Sequence, residues 1–290
     1  MTTGRIIRVL SGFYTVNDGH RDIVCKARGK FRKDAFKPLA GDLCDFSYDG
    51  ANDGYIMAVH PRKNQLTRPP VANVDQALIL VSAKEPDFSS LLLDRFLALV
   101  ESHQIIPVII ITKMDLIESD SPLYETIQAY QNCGYQVITT SQDDFSNNEE
   151  IKALFKDKIT VITGQSGVGK SSLLNRLTPE LQLKTGVISN VLGRGKHTTR
   201  HVELFYLNDG WVADTPGFSS LDIELTEREL AVSYHDFAKL SQNCKFRGCL
   251  HVSEPDCAVK EAVAAGEIPS WRYEHYLMFL NEIKNRKGKY

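Results

Sequence analysis

The sequence predicts a multidomain α/β protein: an N-terminal OB-type β-barrel, a central P-loop domain and a C-terminal helical domain built on a metal site. Three observations predict it. Short β-type runs between turn signals fill residues 4–66, strands alternate with helical periodicity over roughly 71–222, and three cysteines cluster with a histidine beyond residue 240. The domain boundaries on this reading are 1–67, 68–222 and 223–290.

In the first part, Arg5–Leu10, Tyr14–Val16, Asp22–Lys26, Leu43–Tyr48 and Tyr55–His60 read as strands, punctuated by Asn17-Asp18-Gly19, Gly41-Asp42 and Asn52-Asp53-Gly54. Five short strands in this length suit an OB-type barrel, and an SH3-like barrel fits the pattern nearly as well. Arg68-Pro69-Pro70 is a stiff link. Beyond it, Gln76–Ser82 is a continuous apolar run, as expected of a strand buried on both faces. A helix carrying Leu92, Phe96, Leu99 and Val100 on one face follows, with Ser90 as its expected N-cap. Val108–Thr112, Gln136–Thr140 and Ile159–Thr163 are further buried strands, and Val202–Leu207 with Trp211–Ala213 reads as an antiparallel pair through Asn208-Asp209-Gly210. In the third part, Thr226 with Glu229 predicts a capping box for a helix running towards Leu240. Ala258–Ala265 is a second helix stopped by Gly266, and a last one starts near Pro269.

Composition narrows the class. With 42% hydrophobic and 24% charged residues, the 290-residue chain reads as globular and long enough for one large domain or two to three smaller ones. A formal net charge of -2 excludes bulk attraction to nucleic acid or membrane, so any such contact needs a local patch. No apolar run approaches the ~18 residues of a membrane span. Arg5 and Arg8 interrupt the apolar stretch at the N-terminus, which argues against a secretory signal and for a cytoplasmic protein with no membrane partner.

The chemistry begins with Gly164-Gln165-Ser166-Gly167-Val168-Gly169-Lys170-Ser171, a GxxxxGK[ST] phosphate loop between a buried strand and a helix. Its glycines let backbone N–H groups turn inward on a triphosphate, and the helix N-terminus adds its dipole. Lys170 is placed to reach the β- and γ-phosphates, Ser171 to ligate Mg²⁺, and Ser172 to bond the α-phosphate. Asp214-Thr215-Pro216-Gly217 at a later strand end is a DxxG, whose Asp214 holds Mg²⁺ through water and whose Gly217 N–H senses the γ-phosphate. Thr112-Lys113-Met114-Asp115, after another buried strand, resembles the [NT]KxD base-reading motif of GTPases. A carboxylate at Asp115 can accept guanine N1–H and N2–H together, whereas adenine has no matching donors. Lys113 would lie along the base. Thr112 stands where Asn is usual, so one orienting hydrogen bond is expected to be weaker or rerouted. Thr139-Thr140-Ser141 reads either as the loop touching guanine O6 or as an ordinary end of strand.

The base-reading residues precede the phosphate loop, the reverse of the usual GTPase order, and imply a circularly permuted P-loop GTPase domain. The segment after Asp214–Gly217 then runs straight into the C-terminal domain, and hydrolysis is expected to relax residues 214–222 and reorient that domain. Cys244, Cys249, His251 and Cys257 form C-x4-C-x-H-x5-C, a closed set for one structural Zn²⁺ per chain; an iron–sulfur centre is less natural with one histidine. Between Lys26 and Lys37 six basic residues stand against Asp34 alone, interleaved with Phe31 and Phe36, as on an OB surface that binds RNA. Lys284, Arg286, Lys287 and Lys289 make a second basic tract.

Taken together, the permuted motifs, barrel and metal cluster resemble the circularly permuted ribosome small-subunit-dependent GTPases (RsgA-like) over essentially the whole chain. The resemblance implies a GTPase that hydrolyses GTP to GDP and phosphate, binds the 30S subunit and its rRNA, and assists late maturation with subunit-stimulated hydrolysis. It is expected to act as a monomer. A GTP-regulated RNA-binding module with incidental hydrolysis is the alternative; an ATPase of nucleic-acid metabolism requires Asp115 not to read the base. Phe218 follows the DxxG where Ras-like proteins carry a water-orienting Gln, so catalysis needs another group or a partner. The segment Gly193–Arg200 lies where switch I belongs, with Thr198 or Thr199 suited to Mg²⁺ and the γ-phosphate. The resemblance implies His197 as the residue that positions the water; the blander reading is a mobile surface histidine.

Overall fold

The computed structural model describes residues 2–27, 36–48, 50, 54–67, 69–142, 146–177, 202–213 and 223–287. In chain order the strands are β1 (Thr2–Leu10), β2 (Phe13–Asn17), β3 (Asp22–Ala27), β4 (Leu43–Tyr48), β5 (Gly54–Val59), β6 (Gln65–Thr67), β7 (Pro70–Ala72), β8 (Gln76–Ser82), β9 (Ile106–Thr112), β10 (Gln136–Thr139), β11 (Ile159–Gly164), β12 (Leu204–Leu207) and β13 (Gly210–Ala213). The helices are α1 (Ser90–Ser102), α2 (Leu123–Asn132), α3 (Asn148–Phe155), α4 (Lys170–Leu177), α5 (Glu227–Ala231), α6 (His235–Ser241), α7 (Ala258–Ala264) and α8 (Ser270–Lys287). They belong to two compact units, the first drawn from residues 1–76, 148–163 and 170–219, the second from 77–147, 164–169 and 220–290.

In the first unit, β1 to β5 close a barrel in the order β1-β2-β3-β5-β4. β1 pairs antiparallel with β2 and β4, and the parallel β3–β5 pair, with Cys25 opposite Gly54, completes the circuit. This pairing is OB order and resolves the choice that periodicity left open. Alternation along each strand sends Ile6, Val16, Cys25, Cys44, Phe46 and Ile56 inward, where they form one buried cluster. The same unit carries β11 parallel to β13 and β13 antiparallel to β12. The strand expected over Val202–Leu207 begins at Leu204; Glu203 makes an isolated bridge with Arg8 instead.

The second unit holds β8, β9 and β10 in the order β10-β9-β8, with β9 and β10 parallel. Every residue of β8 is buried, as its unbroken apolar run requires. The N-cap of α1 is Ser89, not Ser90: its backbone is extended and its hydroxyl accepts from Leu92 N at 3.2 Å. Thr226 and Glu229 do form the capping box, at 3.2 Å and 2.7 Å. The helix it starts nevertheless stops at Ala231 instead of reaching towards Leu240. The cause is tertiary. Ala231 O meets His251 Nε2 at 3.2 Å, and an extended Tyr234 turns its ring into the core before α6 begins.

A buried polar network ties the helices of this unit together. Arg272 on α8 is fully buried, and its guanidinium bonds Asp94 on α1, both Asp236 oxygens on α6, and the Tyr135 hydroxyl. Asp94 also meets His275 Nδ1 at 2.6 Å and accepts from Tyr130 at 3.1 Å. Tyr135 donates on to Glu101 at 2.9 Å, and the other Glu101 oxygen faces His235 Nδ1 at 3.0 Å. Removing one partner from such a set strands a charge without water and costs about 3–5 kcal/mol.

Two groups in the network make folding pH-dependent. Burial raises the Glu101 carboxyl above its ordinary value, and the hydrogen bond to Glu101 raises His235. Both folded-state values lie above the unfolded ones, so the folded protein binds these protons more tightly and stability falls as pH rises. The His235 contribution is complete below its ordinary 6.5 and is lost as pH climbs through the raised value. Unfolding free energy followed from mildly acidic to alkaline pH should decline, and His235→Gln should flatten the part of that decline above 6.5.

Candidate functional site: a base-reading loop tied to a phosphate loop

The phosphate loop leaves β11 through Gly164, whose φ is +144°; a Cβ there would stand 2.1 Å from the Leu80 carbonyl oxygen. Only glycine permits that approach, which presses the loop onto the end of β8. Gly167 and Gly169 also have positive φ, and the chain enters α4 at Lys170. Leu173, Leu174 and Leu177 bury one face of α4 and leave Ser171 and Ser172 exposed. Burial lowers the Lys170 pKa by desolvating its ammonium.

The base-reading residues sit at the end of β9. The Thr112 hydroxyl donates to Val168 O at 2.7 Å, with Val81 O at 3.3 Å. The Thr112 hydroxyl thus reaches the phosphate-loop backbone directly. Lys113 adopts a left-handed backbone and sends its ammonium to the Glu85 carbonyl. Met114–Leu116 is a single 3₁₀ turn that leaves Asp115 exposed, and Asp115 Oδ1 accepts from Gln142 N at 2.9 Å. Met114 N donates to Thr140 O at 3.2 Å, so Thr139-Thr140-Ser141 lies beside the base-reading turn. Thr112–Asp115, Thr140 and the loop Gly164–Gly169 thus meet at the carboxyl ends of strands, where open α/β sheets bind ligands.

The metal cluster lies in the second unit as well. Cys244, Cys249, His251 and Cys257 place their ligand atoms within 4.8 Å of one another. Cys244 Sγ is 3.9 Å from Cys257 Sγ and 3.8 Å from His251 Nδ1, which is 3.3 Å from Cys257 Sγ. A tetrahedral ion with metal–sulfur bonds of ~2.3 Å needs sulfurs about 3.8 Å apart, so the donor set fits a metal ion. The Ala231 carbonyl at His251 Nε2 fixes the ring so that Nδ1 faces the thiols, and burial lowers the His251 pKa, favouring the neutral ring a ligand requires.

On the barrel, a cavity of about 580 Å³ is lined by Phe13, Tyr14, Lys26, Phe36, Lys37 and Tyr55 among others. Phe13, Phe36 and Tyr55 are exposed, and the Lys26 ammonium lies 5.7 Å from the Phe13 ring centre. Phe13 and Tyr55 were missed as surface aromatics, although each flanks a turn signal. Arg28, Lys30, Phe31, Arg32 and Lys33 lie outside the described residues, as do His197, Thr198, Thr199, Asp214, Gly217, Phe218 and Lys289. The loop Ala83–Ser89 was also missed; the available signal was a short loop at the carboxyl end of a buried strand.

A phosphate loop preceded along the chain by a carboxylate-bearing base-reading turn defines a circularly permuted P-loop GTPase. The chain matches the RsgA GTPase family over residues 59–224 and the RsgA N-terminal domain over residues 3–56, and it belongs to the RsgA family of GTP hydrolases. It is 53% identical to the small ribosomal subunit biogenesis GTPase RsgA of Bacillus subtilis and 52% identical to that of a Geobacillus, each alignment covering both proteins completely. Among solved structures, the circularly permuted GTPase YloQ is similar at a TM-score of 0.84 and 48% identity, over 100% of this chain and 97% of that one. YjeQ from Thermotoga maritima is similar at 0.83 and 38%, over 97% and 98%.

If the cluster carries a metal, stripping it with a chelator should lower the unfolding temperature of the chain. His251→Ala should remove the difference between stripped and metal-loaded protein, read by calorimetry alongside metal content.

Proposed function

We propose that this GTPase binds the small (30S) ribosomal subunit and assists its late maturation, with hydrolysis stimulated by the subunit. The observation that carries the reading is full-length similarity to relatives named for small ribosomal subunit biogenesis, joined to a base-reading loop hydrogen-bonded to the phosphate loop. The barrel face with Phe13, Lys26, Phe36, Lys37 and Tyr55 supports an rRNA contact through stacking and phosphate neutralisation. The domain boundaries near residues 67 and 222 are part of the proposal, as are a monomeric state and a cytoplasmic location.

In this reading Asp115 accepts the two guanine donors, Lys113 lies along the base, and Gly164–Gly169 cradles the phosphates with Lys170, Ser171 and Ser172. Ser171 and Asp214 would hold Mg²⁺, which would supply neutralisation of charge on the phosphates. The family resemblance gives Thr198 or Thr199 and the Gly217 N–H the role of contacting the γ-phosphate, and His197 that of orienting the water whose oxygen attacks phosphorus as the bond to GDP breaks. The Cys244, Cys249, His251 and Cys257 set holds one structural Zn²⁺, for which three thiolates and an imidazole in a closed tetrahedron are the natural ligands.

Turnover of GTP titrated with purified small subunits tests the proposal. A rise of many-fold is expected, and a rate indifferent to subunits would leave GTP as a simple regulator of RNA affinity. Asp115→Asn should weaken GTP and favour xanthosine triphosphate, changing their ratio by tenfold or more, about 1.4 kcal/mol. Competition binding with both nucleotides measures it.

A further inference from the structure

A loop with no assigned role borders the guanine end of the site. Ala83–Ser89 follows β8, and it is held at both sides of a short hook. Its first residue, Ala83, donates its N–H to the Thr112 carbonyl at 2.9 Å. Ser82, almost fully buried at the end of β8, donates its hydroxyl to the Pro86 carbonyl at 2.6 Å. Between these ties the Glu85 carbonyl receives the Lys113 ammonium. Glu85 and Lys113 both have left-handed backbones, with φ of +56° and +59°. For side chains other than glycine that conformation persists only where the surroundings impose it. Pro86 Cδ also stands 3.7 Å from the place a Cβ on Gly167 would take, so the hook lies against the phosphate loop.

We propose that Ser82 and the Ala83–Ser89 loop are positioning elements for guanine: Ser82 holds the hook, the hook presents the Glu85 carbonyl, and that carbonyl anchors Lys113 along the base. A lysine stem is flexible, and its four-carbon chain forms one wall for a planar ring only when its far end is fixed. A backbone carbonyl on a clamped turn supplies that fixed end without adding a charge that would compete with Asp115. The inference rests on Thr112–Asp115 being the base reader. Base contacts are made equally in ground state and transition state, so the loop acts on affinity and not on the chemical step.

Ser82→Ala should weaken both GTP and GDP by about two- to tenfold, the range for one lost hydrogen bond. KM for GTP should rise accordingly while kcat stays unchanged. Ser82→Thr, which keeps the hydroxyl, should restore affinity. Because Ser82 is buried, Glu85→Val provides a surface variant: a β-branched side chain resists the left-handed backbone at this position, loosens the same hook and should produce the same loss. The deciding measurement is a double-mutant cycle with Lys113→Met. If Ser82 works through Lys113, Ser82→Ala adds little in the Lys113→Met background; a merely structural serine would impose its full penalty in both. Wild-type affinity in Ser82→Ala and Glu85→Val, or penalties that add without coupling, overturns the proposal while leaving the base reader intact. Failure of the unmutated chain to prefer guanine over adenine nucleotides overturns the base reader and this inference with it.

Discussion

The hydrogen bond from the Thr112 hydroxyl to the Val168 carbonyl joins the two halves of the nucleotide site. In the proposed function one half reads a base and the other grips phosphates, and they must stay a nucleotide's length apart for either to matter. In this chain they are separated by more than 50 residues and arrive in reversed order. What restores their relation is local geometry at strand ends. Gly164 lets the phosphate loop lie on Leu80, and Thr112 at the end of the neighbouring strand closes the remaining gap. A permuted chain keeps its chemistry because the site depends on which strand ends adjoin, and not on the path that connects them.

The metal cluster and the buried charge network organise the remainder of the second unit by different means. The cluster acts over 14 residues, where a few side chains must stand in for a core. The Arg272 network joins α1, α6 and α8, and adds Tyr135 beside β10. Its opposing acids, Asp94 and Asp236, lie on two different helices, so the guanidinium fixes orientation as well as contact. The expectation that hydrolysis reorients residues 223–290 meets this constraint: within the unit, those residues share a buried salt-bridge set with α1.

What the sequence revealed and withheld follows from the range of the interaction concerned. The phosphate loop, the base-reading turn and the metal ligands are legible because spacing within a short segment determines them. The strand ends fell within a residue or two of expectation for β4, β8 and β11, whose apolar patterns are unambiguous. The barrel type was not legible, because OB and SH3-like barrels share a period of two and differ in which strands pair; the β3–β5 partnership decides it. The break at Ala231 was hidden for a related reason, since its carbonyl is claimed by His251, 20 residues further on. The Ser82 hook could not be read at all. A serine at a strand end looks like any other until its carbonyl partner is known.

The bond between Arg272 and Asp94 spans 178 positions of the chain. At a translation rate of roughly 5–20 residues per second, Asp94 exists for about 10–35 seconds before its guanidinium partner is made. Throughout that interval the nascent second unit carries a carboxylate destined for a waterless interior without the guanidinium that partners it there. The unit therefore cannot complete its core during synthesis of its first half. Until α8 leaves the exit tunnel, the first half of the unit waits for the residue that completes its buried charge set.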